Sequence, residues 1–306
     1  MNQKPHRYTT LLMAILTMAA GLMLSCSDSE QKEQQAEQAL KDKASLQIAV
    51  MPTLDALPLF VADSMGYFDE QKVKVQLKFM TQIDAQEALK KQSVHGAVTE
   101  LVRTERMQQR GTPLHYAAAT NASWQLIANR LSRVQRVDQL GDKMMAITRY
   151  SLLDYLGNQV VDSAKPKQAV YRVQINNVNI RLMMLLNNEM DAMWLPEPQA
   201  TVARMAHHPV LSSSQGRNFI PGVLAFTEQA WQNAEQRKKI EAVMKAWDKA
   251  CDDINKNGLD HYADIIAQCC SVKVDVVEHL PRITYPKAQP PRQQDITLAH
   301  DVKWRD

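Results

Sequence analysis

The 306-residue sequence has little excess charge of either sign: 36 Lys and Arg stand against 33 Asp and Glu, a net charge of +3. A nucleic-acid binder would carry a basic stripe to neutralise phosphates, so the balance argues against that class. Cysteine is scarce, at four residues, and no CxxC or Cys/His spacing suggests zinc. No HExxH, phosphate loop or nucleophile elbow is present. The histidines His95, His115 and the pair His207-His208 are scattered, which favours structural or surface roles over catalysis. Long apolar runs are missing too. The uncharged stretch from Leu11 to Leu24 has fourteen residues, whereas a spanning helix needs about 20. No repeat of short period is visible.

What is present begins at the N-terminus. Lys4, His6 and Arg7 precede the run LLMAILTMAAGLML, the order of a cleavable secretory signal, expected over residues 1–25. The run ends Met23-Leu24-Ser25-Cys26. This resembles the lipobox of bacterial lipoproteins, with a small residue before a cysteine that is diacylated and becomes the mature N-terminus. Met23 departs from the preferred Leu. The resemblance implies an exported protein anchored to a membrane through lipid on Cys26, where two or three acyl chains give stable attachment. Cleavage would remove Lys4 and Arg7 and no acid, leaving 34 basic against 33 acidic side chains, or +1. Residues 26–45 are polar with almost nothing to bury and are expected to be a tether. About 280 residues remain, enough for one large or two medium domains. Cys251, Cys269 and Cys270 are either three buried thiols or, in an oxidising compartment, hold one bridge, with Cys251 pairing Cys269 or Cys270.

Along the body, aliphatic runs with alternation predict strands at 46–51, 73–79, 96–100, 114–120 and 124–130. Helical spacing of Leu57, Phe60, Val61 and Met65 predicts a helix that Gly66 ends. A second helix is expected over 84–92 with Asp84 as its cap. The polar stretch 131–143 breaks the pattern. A new cycle then starts with a strand at 144–148, a helix from Ser151 to about Asp162, a strand at 169–175, a helix at 179–189 and a strand at 190–195. One more strand follows at 222–226, then helices from Ala234 to about Asn255 and from Asp260 to Gln268. The proline-rich segment from Pro286 is expected to be a loosely packed tail. Two blocks of strand-helix-strand rhythm predict an α/β fold of two lobes with mostly parallel sheets.

Three segments carry a family resemblance: Pro58-Leu59-Phe60-Val61-Ala62 with Met65-Gly66-Tyr67-Phe68; Asp138-Gln139-Leu140-Gly141-Asp142-Lys143; and Asn188-Glu189-Met190-Asp191-Ala192 through Pro196-Glu197-Pro198-Gln199-Ala200-Thr201. In their order and spacing they are similar to the bacterial solute-binding proteins of the nitrate, sulfonate, taurine and thiamine-precursor transport group. Asp142 replaces that group's second glycine, and His95-Gly96-Ala97 stands where an acidic residue is common. The resemblance implies the type II periplasmic-binding fold, with lobe 1 at 46–128 plus 223–306, lobe 2 at 129–222, and a hinge between them. It implies a monomer without a cofactor that captures a small polar molecule, such as an amino-heterocycle or a sulfonate, and delivers it to an ABC permease. An exported scaffold of the same fold is the alternative, followed by an enzyme of the thiamine-pyrimidine or menaquinone type. The pair Cys269-Cys270 is not the longer cysteine run of the yeast pyrimidine synthases.

In open α/β sheets, ligands bind beyond the carboxyl ends of the strands, near helix N-termini. That rule selects Thr53, Asp55, Thr99, Glu100, Asn121, Arg149, Tyr150, Ser151, Trp194 and Glu197 as candidate ligand-binding residues. Each has a plainer reading: Asp55 and Ser151 as helix caps, Trp194 as core, Glu197 as first-turn structure. Asp55, Glu100 and Glu197 favour a cationic group, and Arg149 an anionic one.

Overall fold

The computed structural model describes residues 45–304. The expected signal peptide, the expected lipidation site Cys26 and residues 27–44 of the expected tether lie outside the described residues.

The first lobe opens with β1 (Leu46–Val50), α1 (Leu57–Ser64), α2 (Tyr67–Glu70), β2 (Val75–Phe79), α3 (Gln82–Lys90), β3 (Gly96–Glu100), α4 (Leu101–Gln109) and β4 (Leu114–Ala119). The second contains β5 (Trp124–Ala128), β6 (Met144–Ile147), α5 (Leu152–Ala164), β7 (Tyr171–Gln174), α6 (Val178–Leu186), β8 (Ala192–Pro196), α7 (Gln199–Met205) and β9 (Val210–Ser213). The chain returns to the first lobe with β10 (Gly222–Thr227), α8 (Glu228–Gln232), α9 (Ala234–Asn257), α10 (Ala263–Cys270) and α11 (Gln293–His300).

Each lobe holds a five-stranded sheet, ordered β2-β1-β3-β10-β4 and β7-β6-β8-β5-β9. In the first, β1 is parallel to β2 and β3, while β10 runs antiparallel to β3 and β4. In the second, β6 is parallel to β7 and β8, while β5 runs antiparallel to β8 and β9. Each sheet is thus mixed but mostly parallel, as expected: four of its five strands run one way and one, β10 or β5, is reversed. Strands joined by a helix within a lobe must be parallel. Strands that follow a crossing between lobes need no such connection, and β5 and β10 both enter reversed. The lobe boundary also moves: β5, expected in lobe 1, pairs only within the second sheet, so the first crossing is at 120–123. The second lies at 214–221.

Local sequence explains the elements. Gly66 takes a left-handed φ of 73° just past the end of α1, a conformation that costs glycine least. Asp142 holds a φ of 62°, so an acidic residue tolerates the backbone at the position where the family has glycine. The cap of α3 is Thr81, whose hydroxyl accepts from the Asp84 amide at 3.2 Å; Asp84 itself sits inside the first turn. Helix α4 has no counterpart among the expected elements. Its buried face includes Arg103, Thr104 and Glu105 beside Leu101, Val102 and Met107, so no apolar stripe announces it.

One core lies between α1, α9 and the first sheet. Leu57 through Ala62 are all buried, and α9 turns Ile240, Val243, Ala246, Trp247, Ala250 and Ile254 to them at helical spacing. Each such aliphatic or aromatic side chain stabilises by about 1.5–3 kcal/mol when fully buried. A second core runs through both lobes, joining Leu101, Val223 and Ala225 to Trp124, Leu152, Leu156 and Trp194. The expected loose tail is instead packed. Tyr285 is buried with its hydroxyl donating to Leu54 O (3.0 Å), Gln289 O accepts from the Ala119 amide (2.7 Å), and α11 lies against α4 with Asp295 and Ala299 buried. Proline there fixes an extended path for docking. Cys251, Cys269 and Cys270 are separate thiols, two of them buried.

Candidate functional site

The loops after β1, β3, β6 and β8 meet where the lobes face each other. Leu54 N donates to Glu197 O (2.9 Å), and the Gln199 side-chain amide donates to Pro52 O (2.8 Å). The lobes also meet at a fully buried carboxylate, Glu100, at the N-terminus of α4. It accepts from the amide of Arg103 in its own lobe (2.9 Å) and from the amide of Leu152, in the first turn of α5, across the cleft (3.0 Å). The Arg103 guanidinium stands 3.6 Å away and also reaches Gln86. Burial pushes the Glu100 carboxyl above its ordinary value, opposed by Arg103 and by the amides of Arg103, Leu152 and Val102.

Beside this contact a cavity of about 630 Å³ opens along the two crossings, the size of a small-molecule site. Asp55, Asn121, Gln125, Glu197, Arg217 and Arg282 are among its walls. Asp55 comes from the 3-10 turn that follows β1. Thr53 donates its hydroxyl to Asp55 Oδ1 (2.5 Å), and burial holds this carboxyl above the usual range. Glu197 is engaged on both oxygens: Oε2 accepts from the amide and hydroxyl of Thr201, and Oε1 from Arg204 (2.8 Å) and Gln125 (3.2 Å). Asn121 donates to Thr284 O (3.1 Å). A second cavity of about 570 Å³ lies at another opening, between Phe79, Thr81 and Asp84 of one lobe and Asn176, Asn177 and Asn179 of the other.

Of the ten candidates, Asp55, Asn121 and Glu197 line the larger cavity, and Thr53 supports Asp55. Glu100 and Ser151 belong to the lobe contact, Ser151 as the N-cap of α5 through its bond from the Leu153 amide (3.1 Å). Thr99 and Trp194 are buried strand residues, and Trp194 belongs to the core that runs through both lobes. Arg149 and Tyr150 line neither of these cavities. Arg149 is exposed, and Tyr150 lies under the Arg106 guanidinium (4.0 Å) and against Trp304. Arg149, the cation expected to meet an anionic group, is thus directed to solvent by the turn after β6. Sequence reasoning misses Gln125, Arg217 and the wall from Pro281 to Pro290. The prolines mark that segment, but what docks it is contact with Leu54 and Ala119, far off in the chain.

The sequence matches the NMT1/THI5-like family over residues 53–257. The chain belongs to that family. No curated protein matches this NMT1/THI5-like chain. Among solved structures, it is similar to the alkanesulfonate-binding protein SsuA from Xanthomonas axonopodis pv. citri bound to MOPS, with a TM-score of 0.71 and 16% identity over 84% of this chain and 90% of that one. The ligand-binding component of an ABC-type import system from Staphylococcus aureus, with zinc bound, gives 0.69 and 15% over 83% and 90%. The Candida albicans CA3427 gene product, described as having the generic periplasmic binding protein fold, gives 0.64 and 14% over 86% and 92%. At these identities the likeness is one of fold: the NMT1/THI5-like chain has the two-lobed periplasmic-binding architecture. Among the described residues, no helix is long and apolar enough to cross a membrane, and no cluster of three or more His, Cys, Asp or Glu could hold a metal ion.

Proposed function

We propose that this NMT1/THI5-like chain is an extracytoplasmic solute-binding protein, tethered by lipid on Cys26, that captures a small polar molecule between its lobes and presents it to an ABC permease. The observation that carries this is the cavity along the two crossings, bounded by strand ends of both lobes and holding the buried carboxylate Asp55. Such a position lets one solute touch both lobes, so that binding couples to hinge motion. A binding role also accords with the histidines. His95 Nδ1 accepts from the Gln47 amide (3.0 Å), His208 Nδ1 accepts from the Arg130 amide (3.1 Å), and His115 stacks on Trp231. These three hold structure, and neither they nor His207 line the cavity.

The test is native mass spectrometry of protein purified from its own host, followed by a thermal-shift screen of amino-heterocycles, amines, amino acids and sulfonates. A solute at a hundredfold excess over its Kd raises stability by about 2.7 kcal/mol. A co-purified small molecule, or one that shifts the melting point and loses the effect in Asp55→Asn, supports the reading. A complete screen without any shift, and no bound mass, would favour the exported scaffold.

A further inference from the structure

The contact between the lobes has an unusual chemical content. In a fold whose lobes meet at helix N-termini, the free amides and helix dipoles there favour negative charge. Here that position is already filled, from within the chain. One Glu100 carboxylate bridges the N-terminus of the nine-residue α4 in lobe 1 and of the thirteen-residue α5 in lobe 2. It is fully buried, and the guanidinium beside it is buried as well, with Arg103 Nε and Nη2 free of any hydrogen bond. Two further contacts join the lobes, Leu54 N to Glu197 O and the Gln199 side chain to Pro52 O.

The cavity beside this contact has the opposite character. Of its buried charges, Glu197 is paired with Arg204 and Asp295 with Arg292, while Asp55 has no ion pair among the described residues. Three of the four basic side chains on its walls, Arg217, Lys287 and Arg292, are bonded to other groups of the chain. Arg217 donates to Ser213 O, Gln159 and Ser212, and Lys287 pairs with Asp252; Arg282 is exposed at the rim. Among the described residues, Asp55 is therefore the buried wall charge that lacks an ion pair.

We infer that Glu100 is a specificity determinant: its carboxylate fills the anion position between the two helix N-termini, so the cavity takes a cationic or neutral polar solute at Asp55 and rejects sulfonates, nitrate and other small anions. The inference rests on the proposed solute-binding role, and it names the charge class that role would serve. A second consequence follows from the same atoms. The latch at Glu100 is made entirely of the chain's own groups, so the lobes can be held closed at this point without a solute.

The experiment uses the purified full chain, checked by native mass spectrometry to be free of small molecules. Hydrogen exchange is followed at Leu152 in peptides covering the start of α5. The expected result is exchange slowed about a hundredfold or more relative to an exposed amide; exchange at the exposed rate overturns the latch. Methanesulfonate and formate are then added at matched ionic strength, with chloride as control. The wild type is expected to show no shift in melting temperature. Glu100→Ala is expected to melt lower and to be raised by formate, the small carboxylate re-entering between the helices. A formate or methanesulfonate shift in the wild type, or none in Glu100→Ala, overturns the inference. If Glu100→Ala does not fold, the wild-type exchange rate and its response to the two anions decide alone. These readings do not need the natural solute, so failure of the solute-binding role shows separately, as an empty solute screen.

Discussion

The crossings between the lobes place one glycine under a demand that can be measured. A methyl group added at Gly222 would overlap Thr120 Oγ1 and fall 2.6 Å from the Ala122 Cβ, with the Ala122 amide nitrogen at 3.2 Å. Carbon atoms in contact prefer about 3.5–4.0 Å, so Gly222→Ala must push the two crossing segments apart by about 1 Å. Thr120 can rotate, since its hydroxyl has no partner, but the Ala122 Cβ cannot move without its backbone. Overpacking of this kind costs about 1–3 kcal/mol. The backbone bond from Thr120 N to Gly222 O (2.9 Å) would stretch with it, adding about 1 kcal/mol. At about 2–4 °C per kcal/mol for a chain of this size, the melting temperature should fall by about 4–16 °C. The control is Gly157→Ala in α5, where the new methyl meets the flexible end of Met145 at 3.0 Å. Replacing a mid-helix glycine by alanine gains about 0.5–1 kcal/mol, so that variant should be neutral or slightly stabilised. Calorimetry on both decides. A Gly222→Ala protein within about 0.5 kcal/mol of wild type, the scatter of ordinary surface substitutions, or a Gly157→Ala protein that melts as low as it, would refute the account of how the segments are packed.

Four further outcomes follow from the site and the cores. Asp55→Asn should weaken solute binding about tenfold or more, the loss expected for a charged hydrogen bond, with little loss of stability, because the buried carboxyl gives up a charge that burial disfavours; unchanged affinity in titration calorimetry would remove Asp55 from the site. Arg149→Ala should leave affinity unchanged, since the exposed side chain lines neither cavity. Trp194→Ala should cost about 3–5 kcal/mol of stability as a core deletion, and a loss of binding at unchanged stability would instead place Trp194 at the ligand. Acidification should destabilise the fold. Burial holds His95, His115 and His208 below their ordinary value, so the unfolded chain takes up protons below about pH 6.5 that the folded chain refuses, and stability falls as pH drops through that range. His95→Asn, which keeps an acceptor for the Gln47 amide, should flatten the slope seen when denaturant melts are compared between neutral and mildly acidic buffer.

Much of the architecture is legible wherever one property repeats along a short stretch. Alternation marks the strands at 46–50 and 75–79, and the apolar stripe marks α9. Helix α4 is illegible for the converse reason: Arg103 and Glu105 are buried like Leu101, held by partners from other elements that no local pattern can reveal. Strand direction escapes for a related cause. Nothing in Gly222–Thr227 says that it inserts between β3 and β4, since its partners lie at 96–100 and 114–119, on the far side of the whole second lobe. Of the residues selected by the rule that ligands gather beyond strand ends, which depends on topology alone, Asp55, Asn121 and Glu197 line the larger cavity. It cannot separate them from Thr99 and Trp194, where one step along the strand turns the side chain into the core. Nor does the rule foresee that Glu100 faces another segment of its own chain.

The position of β10 also sets a timetable. The second lobe is one continuous segment, from β5 to β9, and can pair all its strands as soon as it is made. The first lobe cannot. Its sheet lacks the strand between β3 and β4 until residues 222–227 exist, so both strands present open edges for the whole time the other lobe is being synthesised and folded. Unpaired edges are templates for wrong partners, and long-range pairing is slow. The N-terminal half of this protein is therefore the last to be completed, and the stage at which a chaperone would matter most is the wait for β10.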